Sequence, residues 1–371
     1  MKFYTIYVLI FIYKSLSAQD ASQDYFSKAM EHVNKKDFAT AIMYYDKAIQ
    51  EKPDFTIAYY NRGNLHLNSG NLEKAVIDFA KCLELDALFH KANLGLGNVY
   101  YTKMDYPKAI FYYKKVMESD PKNEKTPNNL GMAYLKSGDY VMALQAFDLA
   151  VKNGMKGPQV FYNKGVCYIK SGDKRSAIGC FTSSYAEDSK YVKSILERAK
   201  CYAGLEKHNE AIQDLNLYIR SNPNDAEAYY VRGVTKLSIN DYNGAVFDLT
   251  TCLDIKPEYL SAAENLAMAQ YQLKNYPQAL HLYSKILAMD NPNARQYMQR
   301  GLCYLSLDDY KNALKDFDRS IQLESTLAEA YFNRANVHKK LDLDRKACDD
   351  LKMSIKHGYK QGLAYENILC D

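Results

Sequence analysis

The chain repeats one arrangement of small, apolar and polar positions every 34 residues. A glycine or alanine stands at Ala29, Gly63, Gly97, Gly131, Gly165, Ala199, Gly233, Ala267, Gly301 and Ala335, and twelve positions after each comes an alanine, from Ala41 and Ala75 through to Ala347. Four residues further on stands a large apolar or aromatic side chain: Tyr45, Phe79, Tyr113, Phe147, Phe181, Leu215, Leu249, Tyr283, Phe317 and Leu351. In an antiparallel helical hairpin, a bare Gly or Ala on each helix lets the backbones approach, and a larger side chain there overpacks the contact at roughly 1–3 kcal/mol. One hairpin cannot bury its apolar faces alone. The pattern therefore predicts an all-α chain of stacked hairpins sharing one continuous core, not a globule.

With the small residue as position 8 of each unit, the starts fall at Ser22, Thr56, His90, Glu124, Pro158, Val192, Ala226, Leu260, Ala294 and Ala328. Ten units then cover residues 22–361, and a short closing helix is expected over 362–371. Pro53, Pro121, Pro223 and Pro257 close several units at position 32, where the second helix has ended and a missing N–H does no harm. Turn signals separate the two helices at Ser69–Asn71, Ser137–Asp139 and Ser171–Asp173. Pro107 and Pro277 occupy the first turn of a second helix, which proline favours. Unit four ends in the longer Asn153–Pro158 segment, which predicts a looser joint with unit five.

In period and in these positions the chain resembles the tetratricopeptide repeat family over nearly its whole length. That resemblance implies a right-handed α-solenoid of about ten helical hairpins. The family's usual tryptophan at position 4 is absent, since the chain has no Trp, and Tyr25, Tyr59, Phe161, Tyr229, Tyr297 and Tyr331 stand in its place among 34 tyrosines.

Composition narrows the setting. With 47% hydrophobic and 25% charged residues and a formal charge of +4, the chain is too mildly and too evenly basic to imply nucleic acid as a partner. Residues 1–18 read as a secretory signal peptide: Lys2, an apolar stretch from Phe3 to Tyr13, then the small-residue exit Ser15–Ala18. A retained anchor is the alternative, but Lys14 interrupts a run far short of the ~20 residues that span a bilayer, so no stable membrane span is expected in the mature form. The ending Ser-Leu-Ser-Ala-Gln resembles exported proteins of the Bacteroidetes type, which places the chain in a periplasm or outside the cell.

Eight cysteines in an exported chain raise the question of disulfides. Cys82, Cys252, Cys167, Cys201 and Cys303 occupy helix positions where cysteine acts as a small hydrophobe, with equivalent positions about 8–10 Å apart on neighbouring helices, too far to bridge. Cys348 and Cys370 differ: measured from Gly358, an antiparallel closing helix brings them to similar heights. A terminal Cys after such a helix also resembles exported bacterial relatives. A Cys348–Cys370 staple and two packed thiols are the alternatives.

No catalytic constellation, metal ligand set or cofactor motif emerges. The His residues at position 11, His32, His66 and His338, alternate with Tyr100, Tyr134, Tyr168, Tyr202 and Tyr304, which is a packing pattern. A non-enzymatic protein or peptide binder is the expectation, with its site on the face carried by the first helices. There Asn61, Asn129, Asn163, Asn265 and Asn333 share position 6, Asn64, Asn98 and Asn336 share position 9, and Tyr60, Tyr162 and Tyr230 stand at position 5. An Asn amide donates and accepts together, so a row of them can hold the backbone of an extended peptide. This resembles the asparagine ladder in the superhelix of O-linked N-acetylglucosamine transferase. The chaperone-tail clamp of the family needs Lys at position 5, and no unit has it. The alternative function is a structural spacer in an envelope assembly that uses its ends or convex face.

Overall fold

The computed structural model describes residues 21–289, 291–366 and Cys370, so residues 1–18, read above as a signal peptide, and residues 367–369 and 371 of the expected closing helix lie outside the described residues. The described residues are helical hairpins throughout and divide into two compact units at Tyr191/Val192. The first holds α1 (21–34), α2 (Phe38–Glu51), α3 (Thr56–Asn68), α4 (Leu72–Leu85), α5 (His90–Thr102), α6 (Tyr106–Ser119), α7 (Lys125–Ser137), α8 (Tyr140–Lys152), α9 (Pro158–Lys170) and α10 (Lys174–Glu187). The second holds α11 (Lys193–Ala203), α12 (His208–Ser221), α13 (Ala226–Ser238), α14 (Tyr242–Ile255), α15 (Leu260–Gln272), α16 (Tyr276–Leu287), α17 (Ala294–Ser306), α18 (Tyr310–Leu323), α19 (Ala328–Lys340), α20 (Asp344–Lys356) and a closing 3₁₀ turn, Lys360–Tyr365. Within each unit every helix packs on the next in chain order, so each is a stack of hairpins.

Every hairpin turns the same way. The residue at position 15 lies in the left-handed region in all ten, with φ between 56° and 88°: Gly70, Gly138 and Gly172, but also Lys36, Met104, Glu206, Asn240, Lys274, Asp308 and Asp342. The next residue starts the second helix, and the carboxylates of Asp37, Asp105, Asp139, Asp173, Asp241 and Asp309 each accept a hydrogen bond from a backbone N–H in the first turn. At the outer end of the hairpin, a position-27 side chain ties the second helix to the first: Cys82 Sγ donates to Thr56 O, and the Ser184 and Ser320 hydroxyls to Pro158 O and Ala294 O.

The position-20 alanines are wholly buried, but the small residues at position 8 make room chiefly for another group. A Cβ added at Gly63, Gly97, Gly131, Gly165 or Gly301 would stand 2.5–3.0 Å from the ring sixteen residues on, and at Gly233 2.8 Å from Leu249. These rings are the centre of the core: Phe79, Phe147, Phe181 and Phe317 have no exposed surface.

The joint between hairpins four and five is one of the sparser ones, as its longer turn leads one to expect. Gly154 and Gly157, with φ of 107° and 117°, let the chain make its longer turn. The core nevertheless runs on through it, from Phe147 and Ala150 to Val160 and Cys167, and Asn153 Nδ2 donates to the carbonyls of Pro121 and Asn123.

Candidate functional site

The aromatic residues at position 5 serve the joints between hairpins. Tyr60 lies between Phe79 and Phe89, with ring centres 5.9 and 5.3 Å away, and Tyr162 likewise between Phe181 and Tyr191. Tyr230 stacks on Tyr259 at 4.8 Å. Each ring is half-buried against its aromatic neighbours, so only part of it is left to meet a ligand.

The asparagines are all partly exposed on the first helices, but the structure does not join them into one row. Asn61 Nδ2 lies 3.6 Å from Met30 Sδ, and Asn265 Nδ2 is turned back onto the Ser261 carbonyl at 2.7 Å. Among the described residues no hydrogen bond joins Asn64, Asn163, Asn333 or Asn336 to another of these amides. Asn98 on α5 and Asn129 on α7 meet: the Tyr113 hydroxyl, reaching across from α6, donates to Asn98 Oδ1 at 2.9 Å, and Asn129 Nδ2 points at the same oxygen at 3.5 Å. Those bonds use the Asn98 acceptor and leave its Nδ2 to donate and Asn129 Oδ1 to accept. Both amides line a cavity of about 340 Å³ with Tyr101, Thr102, Tyr113 and Met132. It offers one donor and one acceptor side by side above an apolar floor, the complement of a peptide unit. In the second unit a comparable cavity of about 400 Å³ is lined by Asn265, Met268, Tyr283 and Gln299, with Glu264 and Gln296 bonded to each other at 2.7 Å.

The sequence reading missed a recurring ion pair, present once in the first unit and four times as a ladder in the second. Arg62, Arg198, Arg232, Arg300 and Arg334, all at position 7, each hold through two nitrogens the aspartate sixteen residues on: Asp78, Asp214, Asp248, Asp316 and Asp350. Several reach back to the preceding hairpin as well, Arg62 to Asp46, Arg232 to Asn216 and Arg334 to Asp318, so one guanidinium ties three helices. The paired carboxylates of Asp78 and Asp46 hold the Arg62 guanidinium charged against the burial that opposes it. In hairpin five Lys164 and Cys180 replace the pair, and Lys164 bonds back to Asp148. The signal was present as an Arg followed by Asp at a fixed spacing of sixteen, recurring with the period.

Burial pushes the Cys82, Cys167 and Cys303 thiols up to about 12 and Cys252 to about 11, so they stay protonated and inert. Cys348 and Cys370 are joined, with Cα atoms 4.9 Å apart, and fasten the closing segment to α20. Among the described residues no group of three or more His, Cys, Asp or Glu is placed to hold a metal ion, and no helix is long and apolar enough to cross a membrane.

Family models described as tetratricopeptide repeat match residues 13–55, 56–87, 90–123, 192–225, 226–259 and 294–327. The small glutamine-rich tetratricopeptide repeat-containing protein 2 of Saccharomyces cerevisiae is 30% identical over 96 residues, which is 26% of this chain and 26% of that protein. The chain thus spans about a quarter of the length of that curated relative. Among solved structures, the C-terminal part of a TPR repeat-containing protein from Cytophaga hutchinsonii superposes with a TM-score of 0.57 at 17% identity, covering 64% of this chain and 97% of that one. A tetratricopeptide repeat protein from Parabacteroides merdae gives a TM-score of 0.48 at 17% identity, covering 67% and 98%.

Proposed function

From the premise that the chain belongs to the tetratricopeptide repeat family, whose members mediate protein–protein interactions, we propose that it is a non-enzymatic scaffold holding an extended segment of a partner polypeptide along its first-helix face. The observation that carries this reading is the Asn98–Tyr113–Asn129 cluster, whose free donor and acceptor face one cavity. Neutral hydrogen bonds of this kind contribute about 0.5–1.5 kcal/mol each, enough to grip a backbone without reading its side chains. The test places a photo-crosslinking residue at Met132, in the cavity wall, and compares partner adducts with and without Asn98→Ala and Asn129→Ala. Adducts that fall about tenfold in the double variant support the reading; adducts indifferent to both asparagines refute it.

A second reading, an assembly component working through its second-helix face, has one observation in its favour. Ile77, Phe111 and Val141 stand 65%, 52% and 67% exposed on α4, α6 and α8. If Ile77→Ser with Phe111→Ser abolishes assembly while the asparagine variant leaves it intact, this reading replaces the first. The scaffold is further proposed to act outside the cytoplasm, where a Cys348–Cys370 disulfide persists. A mature N-terminus near Ala18–Gln19 found by N-terminal sequencing supports export, and an intact Met1 on cytosolic protein refutes it.

A further inference from the structure

The charge on four of the first unit's five first helices is one-sided. The helices α3, α5, α7 and α9 contain no Asp or Glu at any position, whereas α1 carries Asp24 and Glu31, and in the second unit α11, α13, α15 and α19 carry Glu197, Glu227, Glu264 and Glu329, only α17 being free of carboxylates. Of the cations on the four carboxylate-free helices, Arg62 and Lys164 are consumed by Asp46, Asp78 and Asp148. Lys91, Lys125, Lys136 and Lys170 remain, all exposed and none in an ion pair. They stand at the helix ends, to either side of the asparagine positions. Glu124, the residue before α7, turns towards Gly154 instead.

Helix stability does not account for this arrangement. Lys136 and Lys170 suit the negative end of a helix, but Lys91 and Lys125 stand in the first turn, where the helix dipole favours a carboxylate and disfavours a cation. A solvated face built for stability alone would carry Glu or Asp there. Unpaired lysines added to helix N-termini give the face a positive potential along its length, and no negative group on these helices relieves it.

Resting on the peptide-holding reading above, we propose that the first unit selects partner segments rich in carboxylate side chains: the asparagine amides hold the backbone while the four lysines face Asp and Glu on either side. The selection is by side chains along the segment and not by a chain terminus. Four first helices at 8–10 Å spacing match about ten extended residues.

The experiment measures binding of the full chain to acetylated, amidated peptides of about ten residues alternating Thr with Glu, Gln or Lys, by fluorescence anisotropy across ionic strength. The Glu peptide is expected to bind roughly tenfold more tightly than the Gln peptide at low salt, and about twofold at ~0.5 M, where the screening length falls to a few ångströms. Lys91→Gln, Lys125→Gln, Lys136→Gln and Lys170→Gln combined, with helical circular dichroism unchanged, should bring the Glu peptide down to the Gln peptide's affinity. Equal binding of the Glu and Gln peptides overturns the acidic preference but leaves the peptide-holding reading standing. Binding of no peptide at all overturns both. A single-stranded oligonucleotide that binds more tightly than the Glu peptide, and loses that binding in the same variant, would assign the face to nucleic acid instead.

Discussion

Gly131→Ala, a single added methyl, tests the packing argument most directly. The new Cβ would stand 2.7, 2.8 and 3.0 Å from three ring atoms of Phe147, a side chain with no exposed surface and no room to swing aside. Overpacking of this kind costs about 1–3 kcal/mol, and the better helix propensity of alanine returns about 1 kcal/mol. The steric part can be isolated by a control: Gly179, on α10, has nothing within 4 Å of an added Cβ, so Gly179→Ala should show the propensity gain alone. The difference between the two variants is then the steric term. Phe147→Leu should cost about 1–2 kcal/mol by lost ring volume, but combined with Gly131→Ala it should relieve the clash, since Ala199 with Leu215 and Ala335 with Leu351 already fill this slot in other hairpins. A coupling energy of about 1 kcal/mol or more is expected from the double-mutant cycle. Denaturant midpoints followed by circular dichroism supply the four stabilities, and hydrogen exchange shows whether the loss is centred on α7 and α8. If Gly131→Ala matches Gly179→Ala, or the cycle shows no coupling, the glycine is not there to clear the ring.

Other predictions follow from the same slots and turns. Met104, with φ of 60° and a side chain 74% exposed, occupies a left-handed turn that costs an ordinary residue about 1–2 kcal/mol, so Met104→Gly should raise the unfolding free energy, read from the denaturation midpoint, by roughly 0.5–1 kcal/mol after the entropy of glycine is subtracted. Arg300→Leu strips the partner from Asp316, which is buried, and should cost about 3 kcal/mol or more; Arg300→Leu with Asp316→Leu should recover most of it, because hairpin eight holds Leu266 and Leu282 in those positions. His66 is buried, and burial lowers its pKa below the ordinary 6.5, with Asp78 opposing and Arg62 and Lys74 assisting. The unfolded chain therefore takes its proton first as pH falls, so stability should hold above about pH 6.5, drop below it, and lose this slope in His66→Tyr; a slope unchanged in that variant would exclude His66 as its source.

The stacked-hairpin architecture was legible in the sequence because close packing tolerates so few residues at positions 8, 20 and 24 that the period survives ten copies. The hairpin turns were less so. Only Gly70, Gly138 and Gly172 announce the left-handed conformation, and the other seven hairpins force Lys, Met, Glu, Asn or Asp into it because the two helices they join leave no other path. The polar cluster was half legible. Asparagines at positions 6 and 9 could be picked out, and Asn129 and Asn163 are neighbours in that list, but Asn129 instead meets Asn98, because a tyrosine at position 24 lifts a hydroxyl to the position-9 amide that the phenylalanine or leucine of seven other hairpins cannot supply. Contacts that depend on three positions in two hairpins leave no mark in any one column of the repeat.

The ion-pair ladder makes the same point from the other side. Positions 7 and 23 hold Arg with Asp in five hairpins, yet Leu96 with Tyr112, Leu130 with Ala146 and Leu266 with Leu282 in three more. A fully desolvated ion pair roughly breaks even with apolar residues of similar volume, so either filling leaves the hairpin standing, whereas one charge without its partner does not. The column is therefore constrained as a pair and not residue by residue. Read one position at a time it looks variable, and read at a spacing of sixteen it becomes a rule: where position 7 is Arg, position 23 is Asp. Lys164 opposite Cys180 and Lys28 opposite Tyr44 show how the rule is relaxed, for each lysine takes its partner elsewhere, Asp148 of the preceding hairpin and Asp24 of its own helix, and leaves position 23 free to be neutral.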